Sequence, residues 1–358
     1  MDQSPQPGQS EVVATLFYNP PRPKTQQPNS TSCNLTNALS TASVAPTSQD
    51  GGYISQDCIA DFYKILSAIV TEFSHSSAAE RPLDNADSPR VMEIRFSLPD
   101  TTSTWPETLS KQDAITRFEH TWNIEAVFQN ARTYSLHKQP GLAVFDMDST
   151  LIQQEVIDEI ARTLGVEAAV SSITARAMNG ELDFEASLRA RCALLAGVPS
   201  TVFETIRKLI TPTPGALDLV HALKKLGYKT AVLSGGFTPV TGWFATQIGL
   251  DYAFANHLVE GDDGKLTGEL EGEIVHAERK RAHVLEIAKK ERVELERVLV
   301  VGDGANDLPM MGVAGLGVAF HAKPRVQLAA PARLNTESLL DVLYLFGFSK
   351  EEQEELLR

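Results

Sequence analysis

Asp146 and Asp148 stand one residue apart in GLAVFDMDSTL, residues 141–151. The apolar run before them, Leu142 to Phe145, reads as a buried strand, so both carboxylates sit at its end. Carboxylates this close repel, and the pair costs stability unless a positive charge lies with it. Two further strand ends are loaded in the same way. AVLSGGF closes on Ser234, Gly235 and Gly236, and VLVVGDGAND closes on Asp303, Asn306 and Asp307, with Lys280 between them in the helix-like HAERKRAHVL. Four carboxylates converging from two strand ends suit a hard cation, and Mg²⁺ is held through one or two carboxylates together with substrate phosphate. A carboxylate can also attack phosphorus and form an aspartyl-phosphate. A second carboxyl, its pKa raised by its neighbour and by partial burial, can then protonate the leaving oxygen. Ser234, the N–H groups at Gly235 and Gly236, and Lys280 are suited to holding the transferring oxygens. Each residue alone has a plainer reading. Aspartate at a strand end often only caps a turn, and a lysine within ERKR is normally on a solvated helix face. What favours chemistry is that all these segments occur in register along one chain.

For such groups to meet, the strands must lie parallel in one sheet, because ligands bind beyond the carboxyl ends of an open parallel sheet. From residue 141 onward strands and helices alternate as that requires. Strands are expected at 142–146, 228–234, 297–303 and 317–320, with helices filling most of 154–225. HLVEGDDGKLTGELEGEIV, residues 257–275, has the pattern of a hairpin with Asp262, Asp263 and Gly264 at its tip. Upstream, residues 1–52 are rich in Ser, Thr, Pro, Asn and Gln, a composition that cannot pack a core, except for the strand-like EVVATLFY at 11–18. A helix is expected over 56–73, a strand over 90–98, a short helix near 107–119 and a strand around 126–134. The expected division is a low-complexity segment (1–52), an α+β domain (53–137) and a catalytic domain (138–350) whose helical insert covers about 154–225.

The formal net charge of −14 argues against a nucleic-acid or anionic-membrane surface, both of which call for a basic face. Cys33, Cys58 and Cys192 are widely spaced and form no CxxC pair, so a reduced chain is the simpler reading. No apolar run reaches the roughly 20 residues of a membrane span, and MDQSPQPGQS lacks the features of a signal peptide. A cytoplasmic protein acting on a small molecule, without nucleic-acid or membrane partners, is the expectation. His276 and His321 have no metal-ligand companions and are expected to be structural, and Cys192 to be a buried apolar filler.

DMDST, SGGF, Lys280 and GDGANDLPM together resemble the four motifs of the haloacid dehalogenase-like phosphohydrolases. DEIARTLGV, RAMNGELDFEASLRARCALLAG, ITPTPGA, GLDYAFAN and AGLGVAFHAKP are similar, in order and spacing, to the phosphoserine phosphatase family within them. The likeness covers about residues 140–345. It implies a doubly wound α/β core with an inserted helical cap, Mg²⁺ as cofactor, and hydrolysis of O-phosphoserine to serine and phosphate. By the same resemblance Asp146 matches the nucleophile and Asp148 the general acid, with its backbone carbonyl also on the metal. Asp303 matches the third metal ligand and Asp307 its support. Ser234, Gly235, Lys280 and Asn306 match the phosphate-side groups. Glu155 and Arg191 match the groups that take the substrate's ammonium and carboxylate, a pairing that suits a carboxylate and a planar guanidinium fork. Arg191 is preferred over Arg189 on its spacing within SLRARCALL. Met178 and Phe184 fit an apolar lid. Transfer to another alcohol, a different small phosphomonoester, or a catalytically idle amino-acid-binding regulator are the rival readings. The region before residue 137 resembles the small amino-acid-sensing ACT-type fold, although one of the strands that fold requires is not evident. The alternative is that residues 1–135 form a degenerate domain kept for dimer contacts or solubility, and a homodimer is a further expectation.

Overall fold

The strand-like segment near the start of the chain forms β1 (Gln9–Tyr18) in the computed structural model. The structure describes residues 9–20, 52–70, 73, 75, 78–99 and 105–358; the expected low-complexity stretch 21–51 lies outside them. The chain divides into two units, Met1–Ala131 and Arg132–Arg358.

In the first unit β1 is followed by α1 (Gln56–Ile69), β2 (Ala79–Pro82), β3 (Val91–Pro99), α2 (Trp105–Ser110), α3 (Asp113–Trp122) and β4 (Ile124–Asn130). The strands pair antiparallel in the order β2-β3-β1-β4, the arrangement of a ferredoxin-like β-α-β-β-α-β unit. Ser55 caps α1 by accepting the Cys58 N–H at 3.2 Å. The apolar face of α1, with Ile59, Phe62 and Leu66, packs on alternate β1 residues Val12, Ala14, Leu16 and Tyr18. Phe62 stacks on Phe128 and meets Phe96 edge-on at the centre of this core. The strand missing from the sequence pattern is β2. Its AERP is half exposed and ends in proline, as an edge strand can be, so it shows no alternation to read. The helix expected near 107–119 is two helices, and the strand expected over 126–134 stops at Asn130.

There α4 (Ala131–Leu136) begins. Tyr134 and His137 are buried, the His137 ring stacked on Phe346, so the catalytic unit starts ahead of the expected residue 138. β5 (Leu142–Phe145) is its central strand. After it come α5 (Val156–Leu164), α6 (Glu167–Met178), α7 (Phe184–Ala193), α8 (Val202–Leu209) and α9 (Ala216–Lys225). Then follow β6 (Lys229–Phe237), α10 (Thr238–Ile248), β7 (Tyr252–Glu260), β8 (Leu266–Glu271) and α11 (Ala277–Glu291). β9 (Val298–Gly302), α12 (Leu308–Met311), β10 (Leu316–Phe320), α13 (Pro324–Ala329), β11 (Ala332–Leu334) and α14 (Lys350–Leu357) complete the unit.

The sheet order is β11-β10-β9-β5-β6-β7-β8, parallel except for β8. The winding reverses at β5, whose neighbours are β9 on one side and β6 on the other. That switch point leaves a crevice beyond the carboxyl end of β5, and Asp146 is the residue there. Helices α5 to α8 form the insert, and an antiparallel bridge between Ile152 and Pro212 ties its two connections together. The expected insert limit of 225 is too late. Helix α9 buries Leu219, Val220, Ala222 and Leu223 and packs against β6, the 3₁₀ segment Leu339–Phe346 and α14, so it belongs to the core. The catalytic unit likewise continues past residue 350 through α14.

Candidate active site

Asp146 is 6 % exposed, and its Oδ1 accepts the Met147 N–H at 2.7 Å. Lys280 Nζ lies 2.8 Å from the same oxygen and 2.8 Å from Asp307 Oδ1, with Lys280 and Asp307 both wholly buried. The positive charge that lies with the first aspartate is therefore Lys280, carried in from α11 and shared with Asp307 rather than with Asp148. Asp307 is fixed at its other oxygen by the Gly304 N–H at 3.0 Å. Gly302 makes room for it, since a Cβ there would fall 2.5 Å from Asp307 Oδ2. Asp303 accepts the Thr150 hydroxyl at 3.3 Å. Carboxylate oxygens of Asp146, Asp303 and Asp307 lie within 4.8 Å of one another. On the β6 side, Ser234 is buried and its Oγ accepts the Gly236 N–H at 2.9 Å within a register shift of the strand. Asn306 lies half-buried in the turn between β9 and α12.

Asp148 is not ion-paired with Lys280 among the described residues. Its Oδ2 accepts the Val156 N–H at 2.9 Å at the start of α5, and its Oδ1 is buried without a hydrogen-bond partner among the described residues. A Cβ on Gly236 would lie 3.8 Å from Asp148, so the carboxyl faces the Ser234–Gly236 turn across the crevice. The sharp change of direction after Asp148 is made by Ser149 at φ +55°, a left-handed conformation uncommon for a residue with a side chain. Ser149 Oγ donates to Glu155 at 2.7 Å. From α7, Phe184 reaches the turn: a Cβ on Gly235 would meet its Cζ at 3.6 Å. Arg191 is half-buried on the same helix and donates to Ser187 O at 3.3 Å, while Arg189 is paired with Glu185 at the surface. Met178 ends α6, but its side chain lies outside the described residues.

Residues 143–312 match the model of the haloacid dehalogenase-like hydrolase family. The "Probable phosphoserine phosphatase" of Schizosaccharomyces pombe is 47% identical over 249 residues, 69% of this chain and 82% of that one. The chain belongs to the phosphoserine phosphatase family of haloacid dehalogenase-like hydrolases. A solved structure of a phospho-aspartyl intermediate analogue of phosphoserine phosphatase is 46% identical at a TM-score of 0.54, covering 57% of this chain and 98% of that one. The unliganded probable phosphoserine phosphatase from Vibrio cholerae is 30% identical at a TM-score of 0.64, covering 97% and 88% respectively. The second likeness thus takes in the amino-terminal unit as well.

Charge in this member of the family is unbalanced. Asp146, Asp303 and Asp307 face the single ammonium of Lys280. Burial and the neighbouring Asp307 push Asp146 well above the usual carboxylate range, against the pull of Lys280. Burial, then Asp307 and Glu155, push Asp303 up to about 7. Burial works against the charge on Lys280, yet Asp146 and Asp307 carry its pKa above the ordinary lysine value. A surplus of buried oxygen anions is the donor set that fits a hard divalent cation. Burial, with Glu155 adding to it, lifts Asp148 up to about 7. Glu155 is itself raised, by burial first, with the Ser149 bond and the Arg191 charge opposing.

Sequence reasoning missed three residues that shape the site. Asn256, at 1 % exposure, donates to Gly235 O and Gly236 O at 2.8 and 3.2 Å and accepts the Val275 N–H at 2.9 Å. It pins the two carbonyls of the glycine turn, while the Gly236 N–H is held by Ser234 Oγ, so the backbone of the turn is fixed at the edge of the crevice. A lone asparagine inside the strand-like DYAFAN was the available signal. Ser149 and Thr150 were read only as neighbours of the aspartates. His276 is spent on capping α11, as its lack of metal-ligand companions implied.

Proposed function

We propose that the chain hydrolyses O-phospho-L-serine to L-serine and phosphate through a phosphoryl group carried on Asp146, with Mg²⁺ as cofactor. This would be the last step of serine biosynthesis. The observation that carries this reading is the split between the two aspartates: Asp146 is clasped by Lys280, whereas Asp148 Oδ1 is buried with no hydrogen-bond partner among the described residues. Lys280 and, when bound, the cation would oppose the effect of burial and hold Asp146 as the anion that attacks, while Asp148 is free to donate a proton.

In this reading an Asp146 oxygen attacks phosphorus as the serine Oγ–phosphorus bond breaks. Asp148, poised near neutrality, delivers its proton to the departing serine oxygen. The same carboxylate then takes a proton from water, which attacks the aspartyl-phosphate, breaks the Asp146–phosphorus bond and releases phosphate. Lys280, Ser234, Asn306 and the Gly235 N–H bind the phosphoryl oxygens. Glu155 takes the substrate ammonium and Arg191 its carboxylate, with Phe184 over the glycine turn excluding water. The cation would be held by Asp146, Asp303 and the Asp148 carbonyl, with Asp307 in support, and when bound it neutralises charge on phosphate and carboxylates.

The test is phosphate release from L-phosphoserine and from a panel of other phosphomonoesters, with Mg²⁺ and with EDTA. Selective, EDTA-abolished release from phosphoserine is expected. Comparable release from all esters, or full activity after exhaustive chelation, would refute the reading. None of the described helices is long and apolar enough to cross a membrane; a small-molecule substrate and a cytoplasmic setting are part of the proposal.

The β2-β3-β1-β4 order of the amino-terminal sheet supports a second role, sensing of a small amino acid by an ACT-like unit. If so, L-serine should modulate the whole chain in a manner distinct from product competition at the active site.

A further inference from the structure

The β7–β8 hairpin and the loop behind α7 are joined by main-chain bonds. Gly197 donates its N–H to Leu266 O at 2.8 Å, Leu266 donates to Val198 O at 2.8 Å, and Ser200 donates to Gly264 O at 3.0 Å. Pro199 and Lys265 form an antiparallel bridge between them. The insert thus adds a short strand of its own to a hairpin that grows from the core sheet. Beside this seam Gly268 of β8 lies bare against the end of α7. A Cβ there would fall 3.1 Å from Ala193 Cα, 3.2 Å from Cys192 O and 3.2 Å from Ala196 Cβ. Its φ of +84° is a conformation that glycine takes without strain and other residues avoid. Arg191 immediately precedes the residues in this contact, and Phe184 opens the same helix.

We propose that Gly268 is a positioning residue for substrate recognition: the bare backbone of β8 is the seat of α7 and sets how far Arg191 reaches into the site. The inference rests on the assignment of Arg191 to the substrate carboxylate. Two of the three contacting atoms are backbone, so no flexible side chain can absorb an added methyl. The helix must move, or Gly268 must leave its conformation. A guanidinium fork gripping a carboxylate depends on orientation, whereas the phosphate end of the site is built from core residues and should not feel the shift.

The experiment compares phosphoserine with phosphoethanolamine, which keeps the phosphate and ammonium but lacks the carboxylate. Gly268→Ala should raise KM for phosphoserine on the order of tenfold while leaving kcat/KM for phosphoethanolamine within about twofold. Added to Arg191→Ala, it should change little further. Gly272→Ala is the control, because Gly272 has φ +79° with nothing near its Cβ position: it carries the same backbone strain without the contact, and should leave the preference between the two esters unchanged. Equal loss on both esters, or full additivity with Arg191→Ala, would overturn the proposal. If Gly268→Ala does not fold, Ser200→Pro removes one bond of the seam at the surface and should shift the ester preference in the same direction, by less; an unchanged preference would overturn it. Arg191→Ala separates the two ideas. If it fails to discriminate between the esters, the reading of Arg191 falls and Gly268 falls with it. If it discriminates and Gly268→Ala does not, only the Gly268 proposal is lost.

Discussion

The core of the catalytic unit and the insert above it place their functional side chains by opposite means. In the core, Asp146, Ser234, Lys280 and Asp307 are buried, and their partners are other buried side chains or backbone N–H groups at strand ends. In the insert, Phe184 is 36 % exposed, Arg191 is half-buried, and the helix that carries them is located by a backbone seam to the hairpin. The difference teaches how the work divides. Groups that must meet developing charge are immobilised before substrate arrives, which avoids reorganisation during the reaction. Groups that must recognise a zwitterion stay accessible and are completed by the substrate's own charges.

The strongest way to break that division is at Asp146. Asp146→Asn keeps the shape and removes the attacking charge, so turnover should fall by about a thousandfold or more with the fold intact. Acid-quenched mass spectrometry of the unaltered protein should place the phosphoryl group on Asp146. Substantial turnover in Asp146→Asn would remove it from the mechanism. Next is Lys280→Met. Removing the ammonium leaves two buried carboxylates unpaired, which should cost about 3–5 kcal/mol of unfolding free energy in metal-free buffer as well as activity. An unchanged denaturation midpoint would show that the cluster does not depend on Lys280. In the insert, Arg191→Ala should cost about 2–5 kcal/mol in kcat/KM for phosphoserine, with Arg191→Lys restoring only part, while folding stability stays nearly unchanged. A similar loss of stability would make Arg191 structural.

How much of this was legible depends on where each residue's partner lies in the chain. The strand ends could be read because an apolar run followed by acids, or by Ser-Gly-Gly, is a local pattern. Lys280 could not be assigned from its neighbours, since ERKR looks like a solvated face; its partners lie at Asp146 and Asp307, far along the sequence. Asn256 was hidden for the same reason, with bonds to Gly235, Gly236 and Val275. The insert boundary was misplaced because α9 is amphipathic like the helices before it, and amphipathicity does not say against which body a helix packs. β2 was invisible because an exposed edge strand has no buried face to impose alternation.

His137 offers a smaller effect. Burial holds its pKa down at about 4, and neither ring nitrogen has a hydrogen-bond partner among the described residues. The unfolded chain binds this proton near pH 6.5, the folded chain only near 4. Its stabilising contribution is therefore fully present above 6.5 and is lost as pH falls toward 4. At about 1.4 kcal/mol per pKa unit, roughly 2 kcal/mol should disappear between about pH 7.5 and 5. His137→Leu should flatten that part of the stability profile. An unchanged slope would mean that other groups carry the acid sensitivity.

The smallest effect is expected from removing the amino-terminal unit. Every residue placed in the candidate site lies beyond 145, and the catalytic unit begins at Arg132, with Tyr134 and His137 among its buried residues. A start at Lys138 would strip out Tyr134 and His137, leaving Phe346 stacked on Tyr228 alone, and should destabilise the unit. A chain beginning at Asn130 keeps both and should retain phosphoserine turnover within about threefold, as expected when no contact to the reacting atoms is lost. Comparing the two truncations by thermal unfolding separates loss of packing from loss of chemistry. If the longer one is folded yet inactive, the amino-terminal unit supplies something to the reaction that the carboxylate cluster and insert do not. If it is active but no longer modulated by L-serine, while the whole chain is, the sensing role belongs to the β2-β3-β1-β4 sheet. Equal serine inhibition in both would reduce serine to a competing product, and the sensing role should then be abandoned.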